Sequence, residues 1–195
     1  MNQKDALVIV DTQKDFCPGG ALAVADGDRI IPALNRYIDV FAKSHCSIYA
    51  TRDWHPETTS HFKDYGGPWP VHCVQGTRGA EFHPALNLGN VTVVSKGMAA
   101  DQDSYSGFQA SDASGMVLAD LLRRNGIERI FVGGLATDYC VKHTVLDGLS
   151  LGFKVVLLAD AVGAVNLGPE DGAVATDEMV RAGALRIDDI SALPD

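Results

Sequence analysis

RIFVGGLATDYCVKHT, residues 129–144, decides how the chain folds. Its first part, RIFVGG, is a short apolar run of the kind buried in a sheet. Two glycines follow, and then Val141, Val145 and Leu149 recur four residues apart, the stripe of an amphipathic helix that Gly152 closes. A strand passing directly into a helix is the building block of a parallel sheet, whose strands need crossover connections.

The same unit recurs on both sides. ALVIV (6–10), CSIYAT (46–51), VTVVS (91–95), KVVLLAD (154–160) and ALRI (184–187) read as strands. Between them lie helical patterns. Asp26 is placed to cap a helix striped by Ile30, Leu34, Ile38 and Phe41. Val117, Leu118, Leu121 and Leu122 mark a second helix that stops at Asn125-Gly126, and a last one runs from about Glu170 to Arg181. Strand and helix alternate throughout, which predicts an α/β fold with a parallel sheet. Two stretches break the rhythm, roughly 52–90 and 97–113, rich in Gly, Pro, His, Asp and aromatics. Long loops leaving the carboxyl ends of parallel strands are where sites are built.

Composition narrows the function. The 195 residues suffice for one domain with a sizeable core, and 46% apolar with 21% charged residues is ordinary for a globular protein. A net charge of −9 argues against a nucleic-acid partner. No apolar run approaches the roughly 20 residues that span a bilayer, and the N-terminus has no basic-then-apolar leader pattern. Cys17, Cys46, Cys73 and Cys140 are widely spaced, without a CxxC pair, so free thiols in a reducing cytoplasm are the expectation. A homo-oligomer is a possible assembly, but no pattern marks an interface.

Reactive side chains gather where strands end: Asp11, Asp53 with His55, Lys96, and Cys140. Parallel strands end on one edge, so these groups can converge. A lone cysteine is more often a small buried hydrophobe than a nucleophile. With Thr137 as N-cap, however, Cys140 falls in the first helical turn, where free N–H groups and the helix dipole favour a thiolate and an oxyanion. Asp11 and Lys96 are both candidates for its base. His143, one turn on, either pairs with the thiol or lies on the helix's other face. Asp53, His55, His61 and His72 form a set that suits a divalent metal, or else a polar loop of locally bonded histidines. Phe16, Trp69 and Tyr105 are satellite core, or walls for a flat ring.

Six segments together resemble the nicotinamidases of the isochorismatase-like cysteine hydrolase superfamily. They are IVDTQKDFCPGGALAV (9–24), TRDWHPETTSHF (51–62), WPVHCVQGTRGAEFHP (69–84), VSKG (94–97), DSYSGF (103–108) and GLATDYCVKHT (134–144). They run in the family's order and cover most of the chain. The resemblance implies one domain over residues 1–195, three layers around a six-stranded, mostly parallel sheet. It implies a catalytic triad of Asp11, Lys96 and Cys140, and a cis peptide joining Leu135 to Ala136. The N–H groups of Ala136 and Cys140 would then receive the oxyanion. One Zn, Fe or Mn ion would sit on Asp53, His55 and His72, with His61 as ligand or water-mediated neighbour. Phe16, Leu22, Trp69, Tyr105, Ala136, Tyr139 and Val165 would line the pocket; some relatives carry histidine in place of Tyr139. The implied reaction is hydrolysis of nicotinamide to nicotinate and ammonia through a thioester, serving NAD salvage, with pyrazinamide as a further substrate. Two other readings compete. A relative without metal, acting on another amide, carbamoyl group or vinyl ether, would lack the Asp53–His55–His72 set. A redox-sensing protein using only the Cys140 thiol would not need Asp11 and Lys96.

Overall fold

The computed structural model describes residues 1–194. Six strands form one sheet: β1 (Asp5–Val10), β2 (Ser47–Asp53), β3 (Thr92–Lys96), β4 (Arg129–Leu135), β5 (Lys154–Gly163) and β6 (Leu185–Ile187). Their order is β3-β2-β1-β4-β5-β6, and every pairing is parallel. The apolar runs predicted these strands, but β2 and β5 continue two or three residues past them. β3 likewise continues one residue past its run, so Asp53 and Lys96 are themselves the last residues of paired strands and face each other in register.

Alternation along the strands divides the core in two. Leu7, Ile9, Phe131, Val156 and Leu158 point to one side. There they pack on α1 (Ile31–Lys43) through Leu34, Tyr37, Ile38 and Phe41. Ala6, Val8, Val10, Ile130, Val132 and Leu157 point to the other side. They meet α2 (Leu118–Arg124), α3 (Lys142–Ser150) and α4 (Asp171–Arg181) through Leu118, Leu122, Val145 and Met179. The helices thus make two layers around the sheet.

One helix start differs from expectation. Asp26 does not cap α1: its backbone is left-handed (φ 53°), its side chain makes no capping bond, and a short 3-10 turn, Gly27–Ile30, intervenes. Pro32 lies in the first turn of α1 instead, where its fixed φ suits a helix start and its missing N–H costs nothing. The predicted stripe is nevertheless buried.

The chain turns from one half of the sheet to the other between β1 and β4. These central strands lie close at their carboxyl ends, because Gly134 (φ +122°) has no Cβ; one added there would come 2.1 Å from the carbonyl oxygen of Val10. In an open α/β sheet, the crevice above such a switch point is where a ligand binds.

Candidate active site

Asp11 follows β1 directly, in a left-handed conformation (φ 44°). Its N–H donates to the Thr51 carbonyl at 3.2 Å, and the Thr51 hydroxyl donates to its Oδ1 at 2.6 Å. The carboxylate is therefore aimed by β2. Lys96 reaches in from β3 with its side chain fully buried. Its Nζ lies 2.9 Å from Asp11 Oδ2, 3.1 Å from the Ser104 carbonyl and 3.6 Å from Cys140 Sγ, and it also pairs with Asp53 Oδ1. The donor atoms of Asp11, Asp53 and Cys140 lie within 4.8 Å of one another.

Cys140 arrives through an unusual turn. The Leu135–Ala136 peptide is cis. Thr137 is not the N-cap; Ala136 holds that place, and residues Thr137–Val141 form a π-helical turn. The Ala136 carbonyl accepts from the N–H groups of Tyr139 at 3.0 Å and Val141 at 3.1 Å, and the second bond, five residues on, widens the turn. The Thr144 hydroxyl donates to the Cys140 carbonyl at 2.6 Å and accepts from Gly107 N–H at 2.8 Å, which pins the turn to the 97–113 loop.

The charges do not act on the thiol as the turn alone suggested. Burial pushes the Cys140 thiol well above its ordinary range; Lys96 opposes this, and Asp11 and Asp53 reinforce it. The helix terminus alone favours a thiolate, but a dry site with two carboxylates outweighs it. Burial also raises Asp11, against the pull of Lys96. For Lys96, burial disfavours the ammonium, yet Asp11 and Asp53 overcome it and hold the group protonated. His143 lies on the exposed side of α3 with its ring stacked on Tyr105 at 5.3 Å, so it does not orient the thiol.

Beside this cluster stand the histidines. His55 Nδ1 lies 3.1 Å from the Gly97 carbonyl and His72 Nδ1 lies 2.7 Å from that of Pro70. Donation to these carbonyls turns each Nε2 lone pair inward, 3.7 Å and 3.9 Å from Asp53 Oδ2. His55 Nε2 is buried with no hydrogen-bond partner. A ligating atom from each of His55, His61 and His72 lies within 4.8 Å of the others. Burial lowers His61, and lowers His72 to about 4, so these imidazoles are neutral at neutral pH, the form that can bind a metal. Three imidazoles, a carboxylate and buried ring nitrogens without hydrogen-bond partners on His55 and His61 fit a divalent metal ion. His61 Nδ1 also touches Asp103 Oδ1 at 2.5 Å.

A single cavity opens onto both clusters. Phe16, Leu22, Trp69, Tyr105, Ala136, Tyr139 and Val165 all line it, as do Asp53, His61, His72 and Cys140. Val24, Ser104 and Leu135 line it too and were not anticipated. Trp69 Nε1 donates to the Tyr105 hydroxyl at 2.9 Å, and the Trp69 ring meets Tyr139 edge-on at 5.1 Å, so three aromatic rings are locked together at the wall. Gln13 was also missed. It bonds the Asp53 backbone twice, accepting from its N–H and donating to its carbonyl, both at 2.8 Å. Cys17, Cys46 and Cys73 are buried free thiols outside the cavity lining.

A buried cysteine, lysine and aspartate gathered at the switch point of a parallel sheet supply a nucleophile, a cation and a base, the groups a cysteine-dependent hydrolase needs. Residues 5–188 match the Isochorismatase domain, and the chain belongs to that family. It is 42% identical over 196 residues to the nicotinamidase of Escherichia coli (strain K12), covering 92% of each chain. The pyrazinamidase of Pyrococcus horikoshii, solved in complex with zinc, superposes with a TM-score of 0.88 at 47% identity, covering 95% of this chain and 99% of that one. PnC1 from L. infantum, solved in complex with nicotinate, gives 0.85 at 38% identity, covering 98% and 96%.

Proposed function

We propose that the chain hydrolyses nicotinamide to nicotinate and ammonia, with pyrazinamide as an alternative substrate, and so serves NAD salvage. One observation carries this reading: a single aromatic-walled cavity is lined both by Cys140 and by His61, His72 and Asp53. A flat ring bearing an amide would place its amide at the sulfur and a ring atom toward the histidines. The similarity to a nicotinamidase and to a nicotinate-bound protein supports the same substrate class.

Asp53, His55, His61 and His72 would hold one divalent ion, zinc by first choice and iron or manganese otherwise. Once bound, it supplies a Lewis-acidic anchor for a ring nitrogen. The remaining chemistry belongs to the chain. Asp11, a stronger base than an ordinary carboxylate because its pKa is raised, takes the proton of the Cys140 thiol. Lys96, 2.9 Å and 3.6 Å from the two partners, compensates the negative charge as it moves from Asp11 to sulfur. The thiolate attacks the amide carbon, and the N–H groups of Ala136 and Cys140 receive the oxyanion. Loss of one such donor typically costs about 2.7–4 kcal/mol. Asp11 then passes its proton to the amide nitrogen, the C–N bond breaks and ammonia leaves a thioester. Water gives a proton to Asp11 and attacks the thioester; the C–S bond breaks, and the proton returns to sulfur.

The test is ammonia release from nicotinamide by the purified protein, beside Cys140→Ala and a chelator-stripped sample. Release is expected to vanish in Cys140→Ala and to return to the stripped protein with added zinc, iron or manganese. No release from folded, metal-loaded protein would refute the substrate assignment.

A further inference from the structure

We propose that Asp138 is a positioning residue that sets which ring amides the cavity admits, by clamping the backbone of Val165 and Asn166. The proposal rests on the ring-amide reading above. Asp138 sits two residues before Cys140 in the same π turn, yet it does not line the cavity. Its side chain points to the loop that follows β5, and the residue is only 8% exposed. Oδ1 accepts the Val165 N–H at 2.9 Å and Oδ2 accepts the Asn166 N–H at 2.8 Å.

Bonds from backbone N–H to a carboxylate are stronger than neutral ones. This pair ties the start of the loop to the nucleophile's turn. Residues 166 and 167 are exposed, Leu167 by 75%. Asn166 has left-handed backbone (φ 52°), and its Oδ1 accepts the Gly172 N–H at 2.8 Å in the first turn of α4. A chain of bonds thus runs from the nucleophile's turn through the loop to α4. Val165, clamped in its middle, is a wall of the ring cavity. If the clamp is released, the wall occupies its binding position only part of the time, and apparent affinity falls by that fraction. The position of the sulfur, set by β4 and by Thr144, is left in place.

Asp138→Ala is expected to raise KM for nicotinamide about tenfold while kcat changes less than about threefold, the mark of lost binding rather than lost chemistry. Its preference for nicotinamide over a ring-methylated nicotinamide is expected to shrink, because a loose wall admits the extra methyl group. Hydrogen exchange at the Val165 and Asn166 amides, measured without substrate, is expected to speed up with exchange in β1 and β4 unchanged. Asp138→Asn keeps one acceptor and is expected to fall between, which covers the case of an alanine variant that does not fold. Unchanged exchange at Val165 and Asn166 would overturn the clamp, and so would a fall in kcat at constant KM. Faster exchange in a protein whose wild type never turns over nicotinamide would refute the substrate reading and leave the clamp standing.

Discussion

Replacing Lys96 by methionine tests the charge arrangement most directly. The two side chains are similar in length, so Lys96→Met removes the ammonium with little change of volume. The group removed is fully buried and touches Asp11, Asp53, the Ser104 carbonyl and the Cys140 sulfur. Without it, two buried carboxylates with oxygens within 4.8 Å face each other. At an effective dielectric constant of roughly 20 that repulsion is about 3.5 kcal/mol. This agrees with the ~3–5 kcal/mol usually lost when one partner of a buried pair is deleted. For a chain of this size each kcal/mol moves the midpoint by about 2–4 °C, so Tm should drop by roughly 6–20 °C. Turnover should fall by at least about 10²–10⁴-fold, the range of a lost acid–base partner. The decisive assay is thermal denaturation of the single variant beside Lys96→Met/Asp11→Asn. The double variant has lost the repulsion as well as the ammonium, so it should melt above the single one while remaining inactive. A single variant that melts with the wild type, or a double variant no more stable than the single one, would refute the reasoning.

Two further outcomes are expected. In Gly97→Ala the new Cβ would lie 2.5 Å from His55 Cε1 and 2.6 Å from Nδ1, at a φ of +64° that side chains rarely adopt. Metal content per chain, read by elemental analysis, should fall well below one; full occupancy would contradict the role given to His55. Asp5 is held by Arg129 at 2.7 and 3.0 Å. Burial raises its carboxyl, but Arg129 outweighs that and the folded value lies below the ordinary 3.8. Its contribution is therefore present above about pH 4 and lost as pH falls through the folded value. Asp5→Asn should cost roughly 1.5–3 kcal/mol in urea unfolding at pH 7, a cost that shrinks as the pH is taken below 3.8 and through the folded value, and a cost independent of pH would exclude the ion pair as its source.

The sheet was readable because its strands are buried on both faces and spell continuous apolar runs. Their ends were less readable. Arg52 and Asp53 extend β2 by backbone pairing with β3, which hydrophobicity does not report. The Asp26 cap failed for a similar reason: a cap needs a geometry as well as a residue type, and Pro32 starts the helix later. Asp11, Lys96, Cys140 and the histidines stood out because strand ends share one edge. Thr51, Gln13, Thr144 and Asp138 did not stand out, because each works on a partner 4 to 40 residues away that only the fold brings near. Thr51 left a trace, as a polar residue closing an apolar strand. The direction of the Cys140 shift left none, since it depends on burial and on two carboxylates contributed by other strands.

Asp53 shows why the two clusters form one site. Its Oδ1 pairs with Lys96, while its Oδ2 faces the Nε2 atoms of His55 and His72. Gln13 fixes its backbone on both sides, and the Lys96 ammonium holds its Oδ1. A cation held by the histidines would offset the negative charge of Asp53, which also compensates Lys96. The net potential at Asp11 and Cys140, the groups that exchange a proton, would then become more positive. A single buried carboxylate would thus couple the occupancy of the histidine cluster to the proton balance of the thiol.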